Sequence, residues 1–440
     1  MNFDLQSKEF WDPEAIRKEM IRVFDVCHGC RVCYTLCPSF VKLFEVTDDA
    51  AGVFGEVEEL SDKAINDTVD LCWQCKICDP ICPYIPPHPL DIDFPRTLIR
   101  YQLVRKQREG TKFADRIFGE TDLVGTLSSY AAGLTNWANR NGLIREVLEK
   151  YLGVHRDRLL PEFHSQTFAK WYRKHSRRTA KNNGSHGERS SRRGSVPVEK
   201  VVLFYTCTVN YNEPDIGKAA VAVLEKNGVE CYVPKQQCCG LPLIDGGFLD
   251  RAIGKMKANV ATLSEAVRQG YKIVVPSASC SYMLKHDYPD YVPTEDAKLV
   301  AKNTYDLSEY LVMLHEAGKL DLGFQNNIGK VRYHQPCHIM AQKIGFKAAE
   351  LLKLIPGTEV DRLQHCSGHD GAWSVKKEYF EESMKVGEPL FKFMKAEENC
   401  CCVTDCPLSA IQIQQGAGKK AIHPVVVLAQ AYGLEVGKLS

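Results

Sequence analysis

The chain has 440 residues, 44% of them hydrophobic and 25% charged, with a formal net charge of +1. That length supports roughly two to four domains with ordinary cores, excludes wholesale disorder and gives no global electrostatic case for nucleic acid. Nineteen cysteines are too sparse for a disulfide-stapled secreted domain and too many for incidental core residues, so some chemistry must hold them.

Residues 1–26 read as a helical lead-in, with Ile16, Met20, Val23 and Phe24 at helical spacing after Asp12-Pro13. Charged residues stand where a signal peptide would need an apolar run, so the expected location is the reducing cytoplasm. No window approaches a membrane span, and the mildest candidate, 123–134, is too short and too hydroxylated. Any membrane contact is expected to be peripheral, on the inner face. Two cysteine blocks follow, at 27–38 and 72–83, and a proline-rich wrapping segment closes a first domain at residue 95.

Residues 96–172 are helical in pattern, with Leu143, Ile144, Val147, Leu148 and Leu152 forming an apolar stripe. Residues 173–199 carry a dense run of Lys and Arg without large apolar side chains and read as a flexible basic linker. Beyond it, strands and helices alternate. The runs 201–206, 229–234 and 271–277 read as strands around helices at 215–228 and 251–270, and the same order recurs from 330 to 404. The cysteines repeat with it: Cys207 to Cys337 is an offset of 130, Cys238 to Cys366 of 128 and Cys280 to Cys406 of 126. A duplication into α/β halves at 200–325 and 326–440 explains these offsets. The expected fold class is thus α+β multidomain: a helical two-cluster ferredoxin domain, then a duplicated α/β cysteine-rich domain.

The blocks read Cys27-x2-Cys30-x2-Cys33-x3-Cys37-Pro38 and Cys72-x2-Cys75-x2-Cys78-x3-Cys82-Pro83. Each is the ferredoxin run for a four-iron cluster, in which the fourth cysteine serves the other cluster. Cys27, Cys30, Cys33 and Cys82 are therefore assigned to one [4Fe–4S] cluster, and Cys72, Cys75, Cys78 and Cys37 to a second. Structural zinc would suit paired CxxC sites better.

The long spacer between the blocks resembles the helical ferredoxin domain of succinate dehydrogenase and fumarate reductase iron–sulfur subunits. Cys207, Cys238-Cys239-Gly240 and Cys280, with Cys337, Cys366-Ser367-Gly368 and Cys406, resemble the twin CCG domains of heterodisulfide reductase. With His334-Gln-Pro-Cys-His338, Leu354-Ile-Pro-Gly357, Thr404-Asp-Cys-Pro407 and His423-Pro424, the chain is still more similar to the iron–sulfur subunits of anaerobic glycerol-3-phosphate dehydrogenase and glycolate oxidase.

The second half departs from this pattern, with Ser367 where the first has Cys239. A thiolate is a far better iron ligand than a hydroxyl, so the second half keeps only three thiols in register. Cys402, in the run 400–402, and His338 are the candidates for a fourth ligand, His334 and His369 further ones. An additional iron–sulfur cluster or zinc is expected in the CCG region, with the first half the better metal site.

No dinucleotide-binding or P-loop glycine motif is present, and hydride chemistry belongs to a flavin or nicotinamide. The expectation is an electron-transfer subunit, rather than a stand-alone enzyme, working between an FAD-dependent dehydrogenase or other redox protein and a quinone or other acceptor. The alternatives are disulfide reduction at a CCG cluster, and CCG halves acting as zinc-held docking modules.

Overall fold

The computed structural model describes residues 3–51, 57–184 and 199–436. The lead-in is helix α1 (Pro13–Cys30), started by the Asp12 side chain accepting from the Glu14 N–H, with Pro13 in the first turn. Its apolar face shares one core with α2 (Pro38–Ala51), α3 (Asp62–Asp70), α4 (Cys78–Ile81) and α5 (Phe94–Glu109). Phe24, Phe40, Leu43, Ile65, Val69 and Leu98 build the core between them. Phe40 stacks on Phe94 with ring centroids 4.3 Å apart.

The connecting region is helical as expected: α6 (Phe113–Gly119), α7 (Thr121–Tyr130), α8 (Ala132–Arg140) and α9 (Gly142–Leu152). The apolar stripe on α9 is not core. Leu143 is 76% exposed and Val147 53%. Leu123 and Tyr130 on α7 and Leu134 and Trp137 on α8 are exposed as well. Periodicity marks an apolar face without saying what covers it.

Residues 173–184, read from sequence as linker, instead continue α10 (Phe168–Gly184). Its buried Phe168 anchors it in the core, and His175 lies 2.9 Å from Glu225. The remaining linker residues, 185–198, lie outside the described residues.

The first α/β half runs β1 (Lys200–Leu203), α11 (Cys207–Tyr211), α12 (Pro214–Lys226), β2 (Glu230–Tyr232), α13 (Leu241–Gly246), α14 (Leu249–Arg268), β3 (Lys272–Val275), α15 (Ala278–Tyr282), α16 (Tyr288–Tyr291), α17 (Glu295–Lys302), β4 (Thr304–Asp306) and α18 (Leu307–Glu316). The second runs β5 (Lys330–Gln335), α19 (Cys337–Ala341), α20 (Lys347–Lys353), β6 (Glu359–Gln364), α21 (Phe380–Lys395), β7 (Cys401–Thr404), α22 (Pro407–Ala417), β8 (Ala421–Ile422) and α23 (Pro424–Ala431).

Both sheets are wholly parallel, in the orders β2-β1-β3-β4 and β6-β5-β7-β8. Their shared topology matches the duplication read from the cysteines. The short strands β4 and β8 escape the sequence pattern. Val201, Leu203, Val223, Leu311, Val331, Leu351 and Val427 belong to one continuous core, so the halves are packed on each other through their helices. In each half the motif cysteines follow the carboxyl ends of the first three strands, the edge at which open parallel sheets place their sites.

Candidate metal centres

Each four-cysteine block is a helix end followed by a reversal. Cys27 and Cys30 lie in the last turn of α1, where Arg31 at φ +54° turns the chain back with its N–H on the Cys27 carbonyl, 2.9 Å. Cys33 and Cys37 follow in that turn, before Pro38 starts α2. In the second block, Gln74 and Lys76 hold φ of +56° and +59°. Such left-handed non-glycine residues persist only where their surroundings fix them, and these bracket Cys75.

Cys27, Cys30, Cys33 and Cys82 line one cavity, walled by Phe40 and Tyr84. Burial pushes Cys33 up to about 12, helped by Cys82 and Cys37. Cys37 stands with the second block: burial and then its charge push Cys72 up to about 12. Cys75 and Cys78 are raised too, with Cys37 among the causes. Crowded buried thiols that resist becoming thiolates fit a cationic metal core, which would compensate their charge.

In the first α/β half, Cys207, Cys238, Cys239 and Cys280 come together. Cys280 Sγ lies 3.4 Å from Cys239 Sγ, and Cys238 is hydrogen-bonded to Cys207 and Cys239. The left-handed Gly240 (φ +97°) turns the chain out of the motif. Asn259 holds this loop, accepting from the Gln237 N–H at 2.9 Å and donating to the Gln237 carbonyl at 3.1 Å.

Two residues that the sequence did not single out border the site. Asp122, at the start of α7, accepts from the Cys238 N–H at 3.0 Å and pairs with Lys255 at 2.7 Å. The buried hydroxyl of half-buried Thr121 stands against Cys207 and Cys238. No motif flags either residue; only the fold brings α7 here.

In the second half, Cys337, Cys366 and Cys406 neighbour one another, and burial raises Cys337 well above the ordinary thiol range. Ser367 accepts a hydrogen bond from Ser409 Oγ at 3.0 Å, and Ser409 is also hydrogen-bonded to Cys406. Neither expected fourth ligand is with them. Cys402 lies on β7 among Leu390, Phe391, Met394 and Ile413, while Cys400 donates to the Glu397 carbonyl. Alternation along β7 turns Cys402 onto the α21 side of the sheet.

His338 uses both ring nitrogens elsewhere, Nδ1 on Ser279 Oγ at 2.9 Å and Nε2 on the Gln74 carbonyl at 3.1 Å. It ties both halves to the second block, and burial pushes it down to about 4. His334 is spent on Thr404 and the His365 carbonyl. Buried His369 keeps Nδ1 without a hydrogen-bond partner among the described residues.

The second half abuts the second block directly. Cys75 and Cys366 are hydrogen-bonded, and Cys37, Cys75 and Cys337 pack around Trp73, Ile77, Cys366 and Trp373. The indoles of Trp73 and Trp373 have centroids 4.6 Å apart, and Trp373 Nε1 donates to the Asp70 carbonyl at 2.7 Å. Among the described residues, no group of three or more His, Cys, Asp or Glu side chains closes on a single metal-ion point.

The chain matches the Citrate utilization protein B Fer4-like domain over residues 20–109 and the Cysteine-rich domain, CCG, over 201–285 and 331–414. It is 30% identical over 242 residues to the B subunit of fumarate reductase (CoM/CoB) of Methanothermobacter marburgensis, covering 53% of this chain and 46% of that protein. It is 34% identical over 218 residues to lactate utilization protein A of Bacillus cytotoxicus, covering 47% and 87%. With the C subunit of anaerobic glycerol-3-phosphate dehydrogenase of Escherichia coli (strain K12), it shares 33% identity over 416 residues, 93% of this chain and 98% of that protein. A ferredoxin-like helical domain joined to two cysteine-bearing parallel sheets, matched along almost its whole length, makes this chain a member of the family of iron–sulfur electron-transfer subunits typified by the C subunit of anaerobic glycerol-3-phosphate dehydrogenase.

Proposed function

We propose that the chain carries electrons from a partner flavoprotein dehydrogenase to a quinone or other acceptor. Its two four-cysteine blocks hold [4Fe–4S] clusters, and its first α/β half holds a further metal centre. Cys27, Cys30, Cys33 and Cys82 are the ligands of one cluster, and Cys37, Cys72, Cys75 and Cys78 of the other. Such clusters supply one-electron exchange. The observation that carries the reading is the continuity of the thiol groups: Cys82 stands with the first block, Cys37 with the second, and Cys75 touches Cys366 of the α/β region.

The two ends of this series differ in surroundings. Around the first block, Val32 and Tyr34 are exposed, as are Ile81 and Leu90 after it in the chain, an apolar rim that suits a redox protein. Thr121 and Asp122, beside the four-thiol site, begin the helix whose Leu123, Leu127 and Tyr130 are exposed. With Trp137, Leu143, Val147 and Tyr151, these side chains suit peripheral contact with the inner face of the cytoplasmic membrane. No helix among the described residues is long and apolar enough to cross a membrane.

The test is anaerobic purification with metal analysis and EPR. About eight iron atoms from the two blocks, plus further iron, is the expected content. Cys37→Ser should damage the signal of the cluster held mainly by the second block. Loss confined to the first block's cluster would overturn the ligand exchange. Zinc beside about eight iron atoms would favour docking modules over a third cluster.

A further inference from the structure

The second four-cysteine block meets the second α/β half through Cys75 and Cys366, but that half assembles only three thiols. The four-thiol site lies in the other half, so an electron on the second block needs a different way to reach it. One side chain spans the interval. His338 is 7% exposed and lies in the first turn of α19. Its Nε2 is 3.1 Å from the carbonyl of Gln74, whose peptide continues into Cys75. Its Nδ1 is 2.9 Å from the hydroxyl of Ser279, the residue before Cys280.

These partners fix the tautomer of the ring. A carbonyl can only accept, so Nε2 carries the hydrogen and donates to Gln74, which leaves Nδ1 to accept from the Ser279 hydroxyl. Burial, and after it the charge of Lys76, keep the ring neutral. Its surroundings are fixed as well. Gln342 Nε2 donates to the His338 carbonyl at 3.0 Å and to Ser281 Oγ at 2.9 Å, lacing α19 to α15. The Tyr282 ring lies 5.3 Å from the imidazole, and the Lys76 ammonium stands 4.4 Å over that phenol while pairing with buried Asp287 at 2.7 Å.

A neutral ring with both nitrogens occupied is free neither to ligate a metal nor to take up a proton. What it supplies is connection. Electron tunnelling decays less steeply along covalent and hydrogen bonds than across van der Waals gaps, and a fixed, neutral bridge adds little reorganisation. Between the Cys75 and Cys280 peptides the route consists of bonds throughout: the Gln74 carbonyl, one hydrogen bond, the imidazole, a second hydrogen bond and the Ser279 side chain.

We propose that His338 is the bridge by which an electron passes from the cluster of the second block to the metal centre of the first α/β half. The proposal rests on the electron-transfer reading above and names the link between two of its centres. One electron leaves the reduced cluster and one arrives at the first-half centre. The imidazole keeps its proton and both hydrogen bonds, and is itself neither oxidised nor reduced.

Flash reduction of the oxidised, metal-loaded full chain by photoexcited deazaflavin, followed by absorbance and by EPR of freeze-quenched samples, tests the bridge. The wild type should show a phase, independent of protein concentration, in which the electron moves from the second block's cluster to the first half. Ser279→Ala removes one hydrogen bond, and His338→Phe keeps a flat ring but removes both. Each should slow that phase severalfold, with iron content and cluster potentials as in the wild type. His338→Gln, which again offers an N–H and a carbonyl, should recover much of the rate. Ser279→Ala, the milder change, decides the matter if His338→Phe does not fold. Wild-type rates in these variants would overturn the proposal, as would a loss of rate that comes only with lost iron or shifted potentials, the mark of a purely structural role. A first half that holds zinc shows no such phase at all and sinks the electron-transfer reading of that half, whereas an internal phase that ignores the substitutions sinks only the bridge.

Discussion

The two α/β halves carry the same parallel sheet with cysteines at the same strand ends, yet one assembles four thiols and the other three. In the first, Gly240 has room beside it, since a Cβ there would meet the flexible Met256 Cε at 3.0 Å and the Ala252 backbone only at an ordinary 3.4 Å. In the second, Gly368 is wedged against backbone, its Cβ position 2.2 Å from the Ser383 carbonyl oxygen. The fourth thiol has given way to a Ser367–Ser409 hydrogen bond, and Cys366 reaches across to Cys75. A duplicated fold can thus keep its frame while its sites diverge, one half holding a full donor set and the other fitted against the ferredoxin-like domain.

The largest effect that would break this comparison is loss of metal. Cys239→Ser should empty the first half and stop electron transfer between donor and acceptor, with the ferredoxin-like clusters still reducible by dithionite. Full turnover with native metal content would show that this half lies off the electron path.

The next effect is on stability. Gly368→Ala should cost about 3 kcal/mol or more by denaturant unfolding, because left-handed strain adds to a clash with backbone that cannot yield. Gly240→Ala should cost only about 1–2 kcal/mol, the left-handed strain alone. Equal losses would mean that the second loop relaxes.

A pH effect belongs to the second half. His423 caps α23 by accepting from the Val425 N–H at 3.2 Å, and burial pushes it down to about 3 from an ordinary 6.5. The unfolded chain then binds the extra proton first as pH falls, so stability is lost below pH 6.5, by about 2 kcal/mol between pH 6.5 and 5. His423→Asn, which keeps a capping oxygen, should lessen the slope in thermal unfolding scans by its own share, since burial pushes His334, His338 and His369 down as well. An unchanged slope would assign it to other groups.

The smallest effect sharpens the contrast. Ser367→Ala, the counterpart of the Cys239 substitution, should leave metal content unchanged and cost about 1 kcal/mol, the worth of one buried hydrogen bond. Metal lost from this variant would make Ser367 a ligand after all.

Much of this architecture is legible in the sequence because its signals are local. Four cysteines at fixed spacing before a proline form one turn, and near-constant offsets between cysteines report a duplication without knowledge of the fold. The misreadings share a different origin. Cys402 looks close to Cys406 in sequence, yet Cys402 lies within β7 with its side chain among Leu390, Phe391 and Met394, whereas Cys406 lies beyond the end of the strand. His338 carries the chemistry of a ligand, but partners distant in sequence, Gln74 and Ser279, claim both its nitrogens. Leu143 and Val147 show the periodicity of a buried stripe, and periodicity is the same whether the cover is this chain or something else. Thr121 and Asp122 belong to no motif at all.

The contacts around the second block also bear on how the chain is made. Trp373 bonds Asp70 across 303 residues, His338 bonds Gln74 across 264, and Arg158 bonds Gln412 across 254. Synthesis proceeds from the N-terminus, so the first block can close while the ribosome is still at work, but the second has no roof until the last quarter of the chain emerges. Closing loops of this length is slow. During that interval Cys75 lacks the cover that Cys366 and Trp373 give it in the complete chain. Iron bound for the second block would therefore enter most easily before synthesis is complete.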